Sequence, residues 1–147
     1  MPSKDDQPMT IEEQIQRHRD RQLMRVRRDF GEAAPRVWDL LELLMRDEDS
    51  AQVVHQLEAT FLDEFIDAEP RHALLLLGRT WYAAWDYETR ASITARKWIE
   101  ERSRRLILKH HEDFPTVTTL VRDHANTGFY RAELEAWFTA ARPKKHG

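Results

Sequence analysis

Residues 113–138, DFPTVTTLVRDHANTGFYRAELEAWF, decide how this chain is read. Val117 to Arg122 is β-branched and alternating, the pattern of a half-buried strand. Residues 123–128 (DHANTG) form a turn cluster in which Asn126 and Gly128 tolerate φ > 0. Phe129 and Tyr130 then begin a return strand. Leu134, Trp137, Phe138 and Ala141 recur at helical spacing, so a closing helix follows and stops before Pro143. An isolated hairpin is not stable in water, and the flanking helices supply the surface it needs.

Upstream the chain reads as helical to about Lys109. Thr10 with Glu13 has the form of a capping box. The helix it opens runs to about Phe30, places Ile11, Ile15, Leu23, Val26 and Phe30 on one side, and ends at Gly31. Pro35 suits a first helical turn. Val37, Leu40, Leu41, Leu44 and Met45 then make an apolar face. Asp49 or Ser50 caps a third helix with Val54, Leu57, Phe61 and Phe65 as its stripe. Pro70 opens a fourth, carrying Leu74 to Leu77. Short links between these helices predict an antiparallel bundle.

Gly78 interrupts the fourth helix and Thr80 is a good N-cap, so a domain boundary is expected there. A helix over 81–87 and another over 92–103 then have helix-turn-helix proportions. Ala84 and Tyr87 face Ala95, Trp98 and Ile99, leaving Ser92, Ile93, Thr94, Arg96 and Lys97 outward.

Charge is split between the two parts. Residues 1–78 hold 10 Lys/Arg against 17 Asp/Glu, and residues 79–147 hold 13 against 9 with four histidines. A basic half beside an acidic one is a hint of anion binding. There is no cysteine, which excludes disulfides and thiolate sites. The amino terminus lacks an apolar core, so it is not read as a signal peptide. The longest apolar run, Ala73 to Leu77, is too short to span a bilayer. A cytoplasmic protein is expected.

Basic helix, hairpin and closing helix together give the layout of a winged helix-turn-helix, a module that reads duplex DNA. Thr80, Ala84, Thr94, Trp98 and Ile99 resemble the excisionase and AlpA-like, MerR-related family. The segment from Asp113 through the hairpin to Trp137 is similar to that family's wing and closing helix. The resemblance covers about 60 residues of the C-terminal half. It departs from the family at Thr89, where glycine is usual, at Trp85, where a small residue is usual, and in the long link 100–112. It implies DNA binding, with the helix around Arg96 in the major groove and the wing on the backbone.

The expected fold is therefore mainly α: an acidic N-terminal helical bundle, residues 1–78, for dimerisation or partner binding, then a winged helix-turn-helix, residues 79–147, with one small β-hairpin. Expected DNA contacts are Ser92, Ile93, Thr94, Arg96 and Lys97 on the recognition helix and Arg102, Arg104 and Arg105 on phosphate. Arg122, His124, Asn126 and Arg131 are expected on or beside the wing. The expected role is a small regulator or excisionase-like architectural factor, a homodimer through the N-terminal helices. The alternative is an all-helical protein-binding module: an inhibitor, immunity protein or adaptor. Arg17, Arg19, Arg21, Arg25, Arg27 and Arg28 interleave with Glu13, Asp20 and Asp29, which reads as a salt-bridged outer helix face. The tryptophans read as core. His110, His111, Glu112 and Asp113 point in different directions, and Glu69 with His72 forms only one of the two motifs a di-metal bundle needs. No metal, cofactor or enzymatic activity is expected.

Overall fold

A computed structural model describes residues 8–115 and Thr118. Six α-helices follow one another: α1 (Ile11–Phe30), α2 (Ala34–Met45), α3 (Ser50–Thr60), α4 (Asp63–Ala68), α5 (Pro70–Ala84) and α6 (Arg90–Lys109). Single 3-10 turns follow Phe30 and His110. Among the described residues there is no strand.

The helix boundaries follow local chemistry. Thr10 Oγ1 accepts from Glu13 N at 3.1 Å and starts α1. Gly31, at φ 53°, ends it where an L side chain is strained. Pro35 lies in the first turn of α2. Asp49 caps α3 by accepting from Gln52 N at 2.9 Å. The expected stripe through Phe65 does not run along one helix. The chain is extended at Leu62 and α4 begins a new direction, so Val53, Leu57 and Phe61 are buried while Val54 and Phe65 are half-buried.

Helix α5 continues through Gly78 without a break. Gly78 is buried, and Thr80 is not a cap but a mid-helix residue whose hydroxyl donates to Leu76 O at 2.8 Å. That back-bond satisfies a buried hydroxyl inside a helix. The true cap is Thr89, which accepts from Ser92 N and donates to Leu44 O at 2.8 Å, so α6 begins at Arg90. Helices α5 and α6 run side by side and antiparallel. Arg71 at the start of α5 meets Asp113 beyond the end of α6 at 3.8 Å, and Ser92 near the start of α6 donates to Ala84 O at the end of α5.

Helix α6 also packs on α2 and α3. One cluster joins Val37, Leu40, Leu44, Val53 and Leu57 to Leu77, Trp81, Ala95, Ile99 and Ile107. Residues on both sides of position 78 therefore share one core. Burying an aliphatic side chain here is worth about 1.5–3 kcal/mol, and the cluster binds both parts of the described chain together.

The winged helix-turn-helix expectation is corrected. Its two leading helices are instead a long antiparallel pair within the bundle. The hairpin, residues 117–130, lies outside the described residues except at Thr118. There the backbone N donates to Phe114 O at 3.0 Å, and the side-chain hydroxyl donates to the same oxygen at 2.7 Å. That is helical bonding where a strand was expected. Pro115, pre-set for a first helical turn, explains it, and a threonine hydroxyl readily bonds the carbonyl four residues back.

Candidate functional site

Among the described residues, two surfaces carry the exposed chemistry that bears on function: the outer side of α6 and the outer side of α1. The expected DNA-reading residues of α6 are largely engaged inside the fold. Ser92 is buried against Ala84. Thr94 is half-buried, its hydroxyl 3.3 Å from that of Ser50 on α3. The Arg96 guanidinium lies 3.6 Å from the centroid of the Trp85 ring, and its Nε donates to Ser92 O at 3.3 Å. A stacked guanidinium of this kind is held in place. Ala91 N donates to Asp47 at 2.9 Å, which clasps the first turn of α6 to the α2–α3 link. The side of α6 expected to enter a groove is thus partly covered by α2, α3 and the α5–α6 turn.

The phosphate candidates differ among themselves. Arg102 pairs with Asp63 on α4, and burial lowers the pKa of its guanidinium, with Arg105 adding to the effect. Arg104 pairs with Glu101 at 3.5 Å. Only Ile93, Lys97 and Arg105 stand exposed on this helix among the expected contacts. Arg122, His124, Asn126 and Arg131 lie outside the described residues. Lower on α6, Lys109 and His110 both bond Asp67, at 2.9 and 3.1 Å, and hold α4 to the helix end. Lys109 first, then His110, lowers the Asp67 carboxyl below the usual range.

Helix α1 is different. At 20 residues it is about 30 Å long, against about 18 Å for the 12 residues of α2 on which it lies. Only Val26 and Phe30 of α1 are buried, and residues 11–18 are exposed throughout. The last tether towards the amino end is Arg19, which pairs with Glu42 near the end of α2. The amino-terminal half consequently overhangs the bundle. The overhang continues the apolar line of the buried half: Ile11 is 75% exposed and Ile15 56%, and Met45 at the end of α2 is 45% exposed. The periodicity places these isoleucines on the core side of α1, but the bundle is too short to cover them.

The opposite side of α1 is basic. At about 100° per residue, Arg17, Arg28, Arg21 and Arg25 fall within an arc of about 80°, and all four are exposed. The expected salt bridging is only partly present. Arg19 pairs across to α2, Arg28 pairs with Asp29 at 3.1 Å, and Asp20 accepts from Gln16 at 2.9 Å. Among the described residues, Arg17, Arg21 and Arg25 have no acidic partner. The sequence carries the signal, because the residue four places after Arg17 is Arg21 and four places after that is Arg25.

Of the other expectations, Trp81 is fully buried and Trp38 and Trp98 are packed on the core, but Trp85 is exposed. Among the described residues, no helix is long and apolar enough to cross a membrane, and no group of three or more His, Asp or Glu is placed to hold a metal ion. No protein family, curated protein or solved structure matches the chain.

Proposed function

We propose that this protein is an all-helical protein-binding module whose working surface is the overhanging half of α1, and that a second copy of the chain is its partner. The observation that carries this reading is the exposure of Ile11 and Ile15 on successive turns of a helix that outruns its own support. Leaving each exposed forgoes roughly 1.5–3 kcal/mol of burial. A helix of this kind is stable when another apolar surface lies along it. An isologous, antiparallel pairing centred on Glu13 sets Ile11 of each copy against Ile15 of the other, which is the self-complementarity a two-fold dimer requires.

Sequence-specific DNA reading by α6 has less support. Of its proposed base-reading residues, Ser92 is buried, Thr94 is bonded to α3 and Arg96 is stacked on Trp85. The dimer is tested by light scattering after size exclusion across a range of protein concentrations. The mass should double with concentration for the wild type and stay monomeric for the Ile11→Asp, Ile15→Asp double variant. A wild type that remains monomeric at high concentration, or a variant that dimerises equally, would remove the reading.

A further inference from the structure

We infer that the outer face of α1 binds the phosphate backbone of duplex DNA without reading its sequence, through Arg17, Arg21, Arg25 and Arg28. The four side chains stand on one exposed arc and span 12 residues, a rise of about 16 Å. Residues 14–28 contain six arginines and one aspartate, so this stretch is strongly cationic in a chain that is acidic overall. Glu13 and Asp20 border the arc on one side and Asp29 on the other. Asp20 is engaged by Gln16 and Asp29 by Arg28, and neither neutralises Arg17, Arg21 or Arg25.

Like charges four residues apart on a helix repel one another. Arg17–Arg21 and Arg21–Arg25 are two such pairs, and a polyanion along the face relieves both. Arginine suits phosphate because its planar fork donates two parallel hydrogen bonds. The basic side of α6 offers less: Arg96, Arg102 and Arg104 already hold partners, as Arg28 does on α1, which leaves Lys97 and Arg105 against Arg17, Arg21 and Arg25.

The chemistry of the face selects among polyanions. Single-stranded nucleic acid is bound by aromatic platforms on which bases stack, and the arc carries no Phe, Tyr or Trp, since the one such residue of α1, Phe30, is buried. A membrane-surface helix needs a broad apolar face beside its basic one. Here the exposed apolar residues beside the arginine arc are Met24, about 20° from one edge, and Ile11, about 40° from the other, which do not make such a face. A row of arginines at regular rise, with neither a broad apolar face nor a Phe, Tyr or Trp platform beside it, matches a duplex backbone, where contacts require charge and reach alone.

The test is fluorescence anisotropy of a labelled random-sequence duplex with the full-length protein, from about 50 to 200 mM salt. Arg17→Gln, Arg21→Gln, Arg25→Gln is compared with wild type. Wild type should bind with a steep salt dependence. The glutamine triple variant should bind at least about tenfold more weakly, with the slope of log affinity on log salt shallower by roughly 2–3. The matching lysine triple variant keeps the charge and should retain binding within a few-fold, separating phosphate contact from a folding defect. A Lys97→Gln, Arg105→Gln variant on α6 should bind as wild type. No binding at low salt, glutamine and wild-type proteins alike, or a loss confined to the α6 variant would overturn the inference. So would equal binding to anionic vesicles or to polyglutamate. The residues differ from Ile11 and Ile15, so a failure to dimerise leaves the inference standing, and the Ile11→Asp, Ile15→Asp protein measured in parallel separates the two.

Discussion

Helices α1 and α6 have the same length and the same kind of amphipathic pattern, yet the fold treats them oppositely. Helix α6 buries eight residues and packs on α2, α3 and α5. Helix α1 buries two and packs chiefly on α2. A periodic apolar face states that a helix is to be covered; it does not state by what. For α6 the cover is the chain's own core, and for the first half of α1 the bundle offers none. The one is a structural strut and the other an arm.

That contrast can be broken by substitution. Trp81 is fully buried where α5 meets α6 and donates to Glu100 at 3.3 Å. Trp81→Ala should cost about 3–5 kcal/mol in urea denaturation, while Ile15→Ala in dilute, monomeric protein should change stability by no more than about 0.5 kcal/mol. Comparable losses at the two sites would show that the arm belongs to the core.

The two capping residues sharpen the comparison. Asp49 caps a helix inside the bundle, and Asp49→Ala should lower global stability by about 1 kcal/mol. Thr10 makes the same type of cap on the arm. Its alanine variant should leave the denaturation midpoint almost unchanged and speed amide exchange in the first turns of α1. A large midpoint shift from Thr10→Ala would contradict the overhang.

On the strut, the Ser103 hydroxyl is buried without a hydrogen-bond partner among the described residues. Ser103→Ala removes that unpaired group and should raise stability by about 1 kcal/mol in the same assay. A loss would reveal that the hydroxyl is satisfied after all. The smallest expected effect is at Asp67, which joins α4 to the end of α6. Its carboxyl is held below the usual range by Lys109 and then His110. A depressed folded value means the contribution is present at neutral pH and is lost as pH falls through the unfolded and then the folded value. Thermal midpoints of wild type and Asp67→Asn should differ slightly at neutral pH and converge once the pH has fallen below the depressed folded value. A difference that persists in acid would assign the effect to packing instead.

Much of the bundle was legible. Thr10, Gly31, Pro35, Asp49 and Pro70 each impose a local backbone requirement, and helices begin or end beside all five. The misreadings came where tertiary contacts outweigh local signals. Gly78 looks like a break, but it lies buried inside α5 in a run with Leu76, Leu77, Thr80 and Trp81, and the helix passes through it. Thr80 looks like a cap, yet a threonine hydroxyl is equally satisfied by the carbonyl four residues back. Thr89 is a cap because Leu44 and Ser92 are both in reach, and Leu44 is 45 positions away in the chain. A short β-branched run such as that after Pro115 does not distinguish strand from helix, and at Thr118 the bonding is helical.

The surface was harder to read than the core. Arg96 has the spacing of an outward-facing residue, but Trp85 folds back from the α5–α6 turn and takes its guanidinium. The α1 arginines looked salt-bridged because acids alternate with them in sequence. On the helix Asp20 is taken by Gln16 and Asp29 by Arg28, which leaves Arg17, Arg21 and Arg25 without an acidic partner among the described residues.

Amide hydrogen exchange along α1 and α6 at two protein concentrations tests the strut-and-arm account most directly. The account predicts that α6 is protected at both concentrations, while residues 11–18 exchange rapidly in dilute protein and become protected only as concentration rises. Protection of residues 11–18 equal to that of α6 at the lower concentration, or fast exchange there at every concentration, would contradict it.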